Sequence, residues 1–173
     1  MLKYIIPFDE KLFVEQTILT LPYLYPDEVK KIKHSKFFTL LMFGIGGVIL
    51  MTGSELSTLF FAIGIFGIFD LYWRQERYRN LKDDHIRVIR SFAQSENGIT
   101  NGIFEFNDIC VRFSNDFLCT WINWDDFENY RIKKSNLILI PIESKKDIMV
   151  LGESEISIVE FERVVDFVKS KLD

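Results

Sequence analysis

The stretch FFTLLMFGIGGVILMTG at residues 37–53, followed by SELS and then TLFFAIGIFGIFDLYW at residues 58–73, decides the fold of this chain. No charge occurs between Lys36 and Glu55, and none occurs between Glu55 and Asp70. A soluble amphipathic helix would show a polar face within one turn, and neither run does. Each run has roughly 17 residues, or about 25 Å as a helix, close to a hydrocarbon core of about 30 Å. The pattern predicts a transmembrane helical hairpin.

Basic residues cluster on both flanks of this hairpin. Those before the first run are Lys30, Lys31, Lys33, His34 and Lys36, and those after the second are Arg74, Arg77, Arg79 and Lys82. The intervening loop carries only Glu55. Because basic residues stay on the cytoplasmic side, we expect both termini in the cytoplasm and the turn at 52–57 outside. The predicted location is the bacterial inner membrane, and a buried soluble helix pair is the alternative.

Composition and charge limit the partners and cofactors that the sequence leads us to expect. The net charge is only −4, and the pattern gives no reason to expect nucleic acid as a partner. The first residues, MLKYIIP, lack the basic and long apolar regions of a cleaved signal peptide. Cys110 and Cys119 fall in the predicted cytoplasmic part, where thiols stay reduced. Two cysteines and two distant histidines give no metal-site spacing, so no cofactor or metal is expected.

Four segments follow from the pattern. We predict a cytoplasmic N-terminal segment at 1–36, the hairpin at 37–73, a helical linker at 74–95 and a β domain at 96–173. In the first segment, residues 3–8 suggest a strand and residues 9–19 a helix, with Asp9 as its N-cap. Pro22 and Pro26 are expected to break the segment that follows this helix.

From Ile99 onward the apolar period changes to two. Short strands are predicted at 103–106, 109–113, 117–124, 130–132, 137–140 and 148–151, separated by turn residues. Residues 157–172 repeat apolar side chains at three-four spacing, which predicts an amphipathic helix. The expected fold class is α+β: the hairpin plus a small antiparallel β domain of pleckstrin-homology type, closed by the C-terminal helix.

This order of elements resembles the YcxB-like family of small bacterial membrane proteins. The resemblance is carried by the apolar pair at 37–73, the strands at 109–113 and 117–122, and the step WDDF at 124–127. The strand LILIP at 137–141 and the terminal helix, with Phe161, Val165 and Phe167, extend it. The resemblance implies two membrane helices followed by a cytoplasmic pleckstrin-like domain. It implies no catalytic residues.

Small residues within the hairpin are candidates for close helix packing. If the chain folds back at Ser54, Gly47 lies at the depth of Ala62, and Gly44 lies at the depth of Gly64. Small residues allow backbones to approach in lipid, where hydrophobicity does not drive association. The alternative is that glycine is simply common in membrane helices.

Charged and aromatic residues supply the remaining candidates. Asp70, one turn before Arg74, is either an interfacial anchor or a functional intramembrane carboxylate. Trp121 and Trp124 are three residues apart, so on one strand one points outward as a contact residue. Lys133 and Lys134, together with the pair at 145–146, fall in loops that suit anionic headgroups or ordinary solvent exposure.

The sequence contains no nucleophile-base pair, phosphate loop or zinc pattern, and we expect no enzymatic activity. The favoured function is a membrane-anchored domain that binds a protein or lipid partner at the inner leaflet. The alternative is an immunity protein that neutralises a toxin acting at the inner membrane. A third class, a transporter or enzyme subunit, has only Asp70 in its favour. The expected partners are the lipid bilayer and an unidentified protein, and homo-oligomerisation stays open.

Overall fold

A computed structural model describes residues 1–93, 101–116, 118–144 and 147–173. The chain divides into two compact units. The first, here called the β unit, combines Met1–Leu24 with Ile86–Asp173, and the second, the hairpin unit, is Tyr25–His85. The predicted boundaries at residues 36 and 96 differ from this division, because the N-terminal residues join the β unit. The hairpin unit is thus an insertion within the sequence of the β unit.

The hairpin unit contains the first of two long apolar helices and most of the second. Helix α2 spans Pro26–Met51, and helix α3 begins at Leu56 and continues to Ala93. Both are long and apolar enough to cross a membrane. Only 17% of the most apolar stretch of each helix is buried within the structure. A helix pair in a soluble core would be mostly buried, so this exposure disfavours the soluble alternative.

The β unit contains two antiparallel sheets. The first has the order β1-β2-β3-β4, with β1 at Leu2–Pro7, β2 at Asn101–Phe106, β3 at Cys110–Ser114 and β4 at Cys119–Asn123. The second has the order β5-β6-β7, with β5 at Phe127–Lys133, β6 at Asn136–Pro141 and β7 at Met149–Gly152. The C-terminal helix α4 spans Ile158–Leu172. The prediction of an α+β fold with antiparallel sheets and a closing helix is confirmed.

The main core lies where the two sheets and α4 meet. Phe106, Val111, Val164 and Val168 are completely buried there. Helix α4 starts at its N-cap Ser157, whose hydroxyl accepts a hydrogen bond from the backbone N–H of Glu160. The apolar stripe of this helix therefore faces the sheets, and its charged face meets solvent.

Helix α1, at Glu10–Leu24, covers the other face of the second sheet. Ile138 and Ile140 of β6 form a separate buried cluster with Leu19 of α1, while Leu137 and Leu139 face the main core. Strand β6 is consequently buried on both faces, which explains its unbroken apolar sequence.

Two local predictions need correction. Pro22 lies inside α1 and does not end it, whereas Pro26 starts α2. Trp124 does not continue β4, because it begins a short 3-10 turn at Trp124–Asp126. The predicted cap at Asp9 agrees with the hydrogen bond that its carboxylate accepts from the N–H of Leu12. Phe117 and the linker residues 94–95 lie outside the described residues.

Candidate functional site

Helices α2 and α3 meet along a seam of small and hydroxyl residues. Buried seam residues are Ser35, Thr39 and Gly46 on α2 and Ser57, Gly64 and Gly67 on α3. A Cβ at Gly67 would overlap the Thr39 hydroxyl, and one at Gly64 would lie 2.9 Å from the Phe43 ring. One at Gly46 would lie 3.3 Å from Cβ of Phe60. The small residues therefore let the two backbones approach closely.

This seam differs from the predicted one. A Cβ at Gly44 or Gly47 would meet nothing within 4 Å, and Ala62 is exposed. Of the predicted packing set, only Gly64 lies in the contact. The turn is centred one residue earlier than Ser54, at Gly53, whose φ is +72°. Moving the turn shifts the register between the helices, and each residue of shift rotates a helical face by about 100°.

Asp70 joins the two helices at the charged end of the seam. Its Oδ2 accepts a hydrogen bond from the Ser35 hydroxyl at 2.8 Å and another from Nε of Arg74 at 2.7 Å. The pair with Arg74 is the one predicted from its one-turn spacing. Ser35 was not predicted as its partner. The four-residue spacing of Ser35 and Thr39, which places both hydroxyls on one helix face, is the signal that would have found it.

An open groove of about 690 Å³ runs between α2 and α3 beside Asp70. Lys30 and His34 lie at one end with Arg74, and Phe38 and Phe66 lie towards the other. The groove thus has one charged end and one apolar end. Sequence reasoning missed it, because a groove depends on the helix register.

The two tryptophans have opposite environments. Trp124 is only 6% exposed, packs against Phe127 and Phe167, and donates its Nε1–H to the carbonyl of Asn107 at 2.8 Å. Trp121 is 65% exposed on β4, opposite Arg112 in the strand register. Trp124 is a core residue, and Trp121 is the outward candidate for contact with a partner.

The outer face of the first sheet surrounds Trp121 with charge. The Glu105 carboxylate forms salt bridges with Lys3, whose Nζ is 2.7 Å from Oε1, and with Arg112, whose Nη1 is 3.6 Å from Oε2. The hydrogen bond and charge of Lys3 hold the pKa of the Glu105 carboxyl below its usual value. Ile5, which is 65% exposed, lies two residues after Lys3 on β1 and therefore on the same face of the sheet. This face thus combines paired charges with exposed apolar side chains.

Lys133 and Lys134 are both exposed beside the turn between β5 and β6. Lys134 and Ser135 have φ values of 51° and 56°, as expected for the two central residues of a tight hairpin turn. The Asn136 side chain donates to the carbonyl of Lys134 at 2.7 Å, which supports this unusual backbone. The predicted partner loop with the lysines at 145–146 lies outside the described residues.

Among the described residues, no group of histidine, cysteine or acidic side chains is arranged to hold a metal ion. Asp125, Asp126 and Glu128 are exposed, as expected for solvated turn and strand-edge residues. Burial raises the pKa of the Glu155 carboxyl. Its carboxylate accepts hydrogen bonds from the Gly152 N–H and the Gln16 side chain, which lower the pKa by a smaller amount. These contacts tie α1 to the end of β7, so the role of Glu155 is structural.

Within the described parts of the chain, the arrangement offers a packed helix seam, an amphipathic groove and an exposed sheet face. Comparison with models of protein families, with curated proteins and with solved structures found no match for this chain.

Proposed function

We propose that this chain is a bacterial inner-membrane protein in which a transmembrane hairpin holds a non-catalytic, pleckstrin-like binding domain at the cytoplasmic surface. In the described part of the chain, seven antiparallel strands form a four-stranded and a three-stranded sheet and are followed by one helix, which supports the pleckstrin-like assignment. The long, exposed apolar helices support the membrane assignment. The binding role is supported by the exposed face around Trp121.

The observation that carries the proposal is the pairing of β1 with β2. Leu2 pairs with Phe106 and Pro7 with Asn101, although both apolar helices lie between these strands in the sequence. Paired strands must be in the same compartment, so the chain between them crosses a bilayer an even number of times. Because the described residues contain two candidate spans, insertion of only one of them is excluded. Full insertion as a hairpin places every strand on one side.

The basic flanks then select which side that is. The charged ends of α2 and α3 carry Lys30, Lys31, Lys33, Lys36, Arg74, Arg77 and Arg79, and the turn carries none of these residue types. Positive charge is retained in the cytoplasm, so the β unit is cytoplasmic. The chain joins the β unit to the hairpin unit both before and after the hairpin. In the proposed topology, these two covalent connections tether the β unit to the inner leaflet. This raises its effective concentration for partners at that surface.

Cysteine accessibility tests the topology directly. The exposed native Cys119 should resist a membrane-impermeant maleimide in intact spheroplasts and react once the membrane is opened. Glu55→Cys, placed in a Cys110→Ser, Cys119→Ser background, should react in intact spheroplasts. Labelling of Cys119 from outside would contradict the proposed orientation. Release of the chain by alkaline carbonate would contradict membrane insertion itself.

Site-specific crosslinking tests the binding role. A photoreactive amino acid at Trp121 should give a discrete crosslinked product in native membranes. The matched control is the same amino acid at Val159, which is 71% exposed on α4. We expect a product from Trp121 and none of the same mass from Val159. Identical products from both positions, or none from Trp121, would count against a binding surface on the first sheet.

A further inference from the structure

The groove in the hairpin unit is built from two facing rows of side chains. On α2, Lys30, His34 and Phe38 follow one another at four-residue spacing and therefore stack on one face. On α3, Phe66 and Arg74 lie two turns apart on the facing side. Both rows change from charged to apolar in the same direction along the helices. In both rows the charged residues lie at the basic end of the hairpin and the apolar residues lie nearer the turn.

The charged end of the groove has unused hydrogen-bond donors. Arg74 contacts Asp70 through Nε, and its two terminal nitrogens make no hydrogen bond within the described part of the chain. Lys30 and His34 form no ion pair with any described residue, whereas Lys31 is paired with Glu28 at 3.1 Å. The guanidinium and ammonium groups are suited to a phosphate, since both bind oxyanions by charge-assisted hydrogen bonds.

The charge balance at this end favours an anion. Residues 27–36 and 70–79 contain the basic residues Lys30, Lys31, Lys33, Lys36, Arg74, Arg77 and Arg79, and the acidic residues Asp27, Glu28, Asp70 and Glu76. Asp70 is already engaged by Ser35 and Arg74. Asp27 also lines the groove, but basic groups outnumber acidic ones across both segments. An anionic ligand is therefore complementary to this end of the hairpin.

The apolar end requires a ligand with a hydrocarbon part. Phe66 is 77% exposed, and Phe38 and Ile63 complete an apolar lining within the candidate membrane spans. A free phosphate or a soluble nucleotide would leave this part of the groove unfilled. The volume of about 690 Å³ lies within the range typical of small-molecule sites.

We infer that this groove binds one anionic glycerophospholipid, with the lipid phosphate at Lys30 and Arg74 and an acyl chain along Phe38, Ile63 and Phe66. Basic pockets between membrane helices on the cytoplasmic side are suited to such headgroups. The inference deepens the proposed function and rests on it, because the groove meets lipid only when the hairpin spans a bilayer. The bound lipid fills the groove and fixes the position of the hairpin relative to the headgroup layer.

Lipid retention measured by native mass spectrometry tests this assignment. The full-length protein is reconstituted into nanodiscs containing equal amounts of phosphatidylglycerol and phosphatidylcholine with matched acyl chains. The lipids that stay bound to the protein after it is released from the nanodisc are then counted. We expect one phosphatidylglycerol to be retained in preference to phosphatidylcholine. Lys30→Gln with Lys31→Gln should lower this preference about 25-fold, because each of the two basic residues near an anionic headgroup contributes of order fivefold.

The matched control is Lys33→Gln with Lys36→Gln. It removes the same charge from the same helix, but neither residue lines the groove. We expect the control to keep the preference within about twofold. Equal losses in the two double variants would show diffuse charge attraction and overturn the groove assignment. Equal retention of both lipids by the unaltered protein would overturn it too, as would a preference for the zwitterionic phosphatidylcholine.

The apolar end has its own test in the same assay. Phe66→Ala leaves every charge in place and removes part of the acyl-chain lining. It should lower retention of long-chain phosphatidylglycerol several-fold while retention of a short-chain analogue stays unchanged. Equal effects on both chain lengths would contradict acyl-chain binding. Carbonate extraction and cysteine labelling report membrane insertion independently, so failure of the lipid site is distinguishable from failure of the proposed function.

Discussion

The hydroxyl of Ser35 donates a hydrogen bond of 2.8 Å to Oδ2 of Asp70, which links the two apolar helices across the seam. The same carboxylate oxygen accepts the Nε–H of Arg74 at 2.7 Å. Asp70 therefore serves both as a link between helices and as an anchor for Arg74. Its position near the end of an apolar run is explained by these two partners.

We predict that Ser35→Ala weakens the helix pair only slightly. Hydrogen bonds between membrane helices contribute about 0.6 kcal/mol on average, because the separated helices also find polar partners. Asp70→Leu should cost more, since it also removes the partner of Arg74. The measurement is the rate of disulfide crosslinking between cysteines placed on α2 and α3 in a cysteine-free background. A large effect of Ser35→Ala alone would indicate a role for the hydroxyl beyond packing.

Gly67 should be far more sensitive to substitution than Gly47. A side chain at Gly67 would overlap Thr39, whereas one at Gly47 would enter open space. Gly67→Leu should therefore destabilise the helix pair by about 2 kcal/mol, the typical cost of overpacking. Gly47→Leu should be nearly neutral, because better helix propensity is its main effect. Thermal stability in a mild detergent would measure both, and equal sensitivity would refute the observed seam.

Removing the N-terminal residues should prevent the β unit from folding. A fragment of residues 96–173 lacks β1, which pairs with β2, and Leu19, which covers Ile138 and Ile140. We expect it to expose apolar surface and aggregate. Joining residues 1–24 to residues 96–173 through a long glycine-serine linker should restore a cooperative thermal transition measured by circular dichroism. A folded 96–173 fragment would show that β1 and α1 are dispensable.

The two tryptophans should differ in their effect on stability. Trp124→Phe removes the indole donor and leaves the partly buried carbonyl of Asn107 without it, which costs about 0.5–1.5 kcal/mol. Trp121→Phe, at an exposed position, should change the free energy of unfolding by less than about 0.5 kcal/mol. Chemical denaturation of the linked β unit compares the two. A larger effect at Trp121 would contradict the assigned environments.

Glu155 should make stability depend on pH. Burial raises the pKa of its carboxyl in the folded state above the usual value of 4.5. Its favourable contribution is therefore complete below about pH 4.5 and is lost as the pH rises through the folded-state pKa. Glu155→Gln lacks this titration, so its melting temperature relative to the unaltered protein should increase between pH 4.5 and pH 8. A constant difference across that range would show that Glu155 is not the responsible group.

The elements with strong periodicity could be predicted from the sequence, and the contacts between distant elements could not. The charge-free runs predicted α2 and α3, and the three-four spacing of apolar residues predicted α4. The prediction that Gly47 lies in the helix contact was wrong. Whether Gly46 or Gly47 faces the other helix depends on where the turn is centred. The pairing of β1 with β2 was missed because the hairpin separates them in the sequence. The apolar run at 137–140 held a usable signal, since burial on both faces required a covering element such as α1.

The pairing of β1 with β2 also sets an order of events during synthesis. Pro7 pairs with Asn101, so β1 emerges from the ribosome long before its partner exists. At typical translation rates, the intervening residues take roughly 5 to 20 seconds to make. Throughout that interval the exposed edge of the first strand remains without its partner, while both apolar helices must leave the translation machinery. In the proposed topology, a chain with only one of its two apolar helices inserted would hold these strands on opposite sides of the bilayer and could not close this sheet.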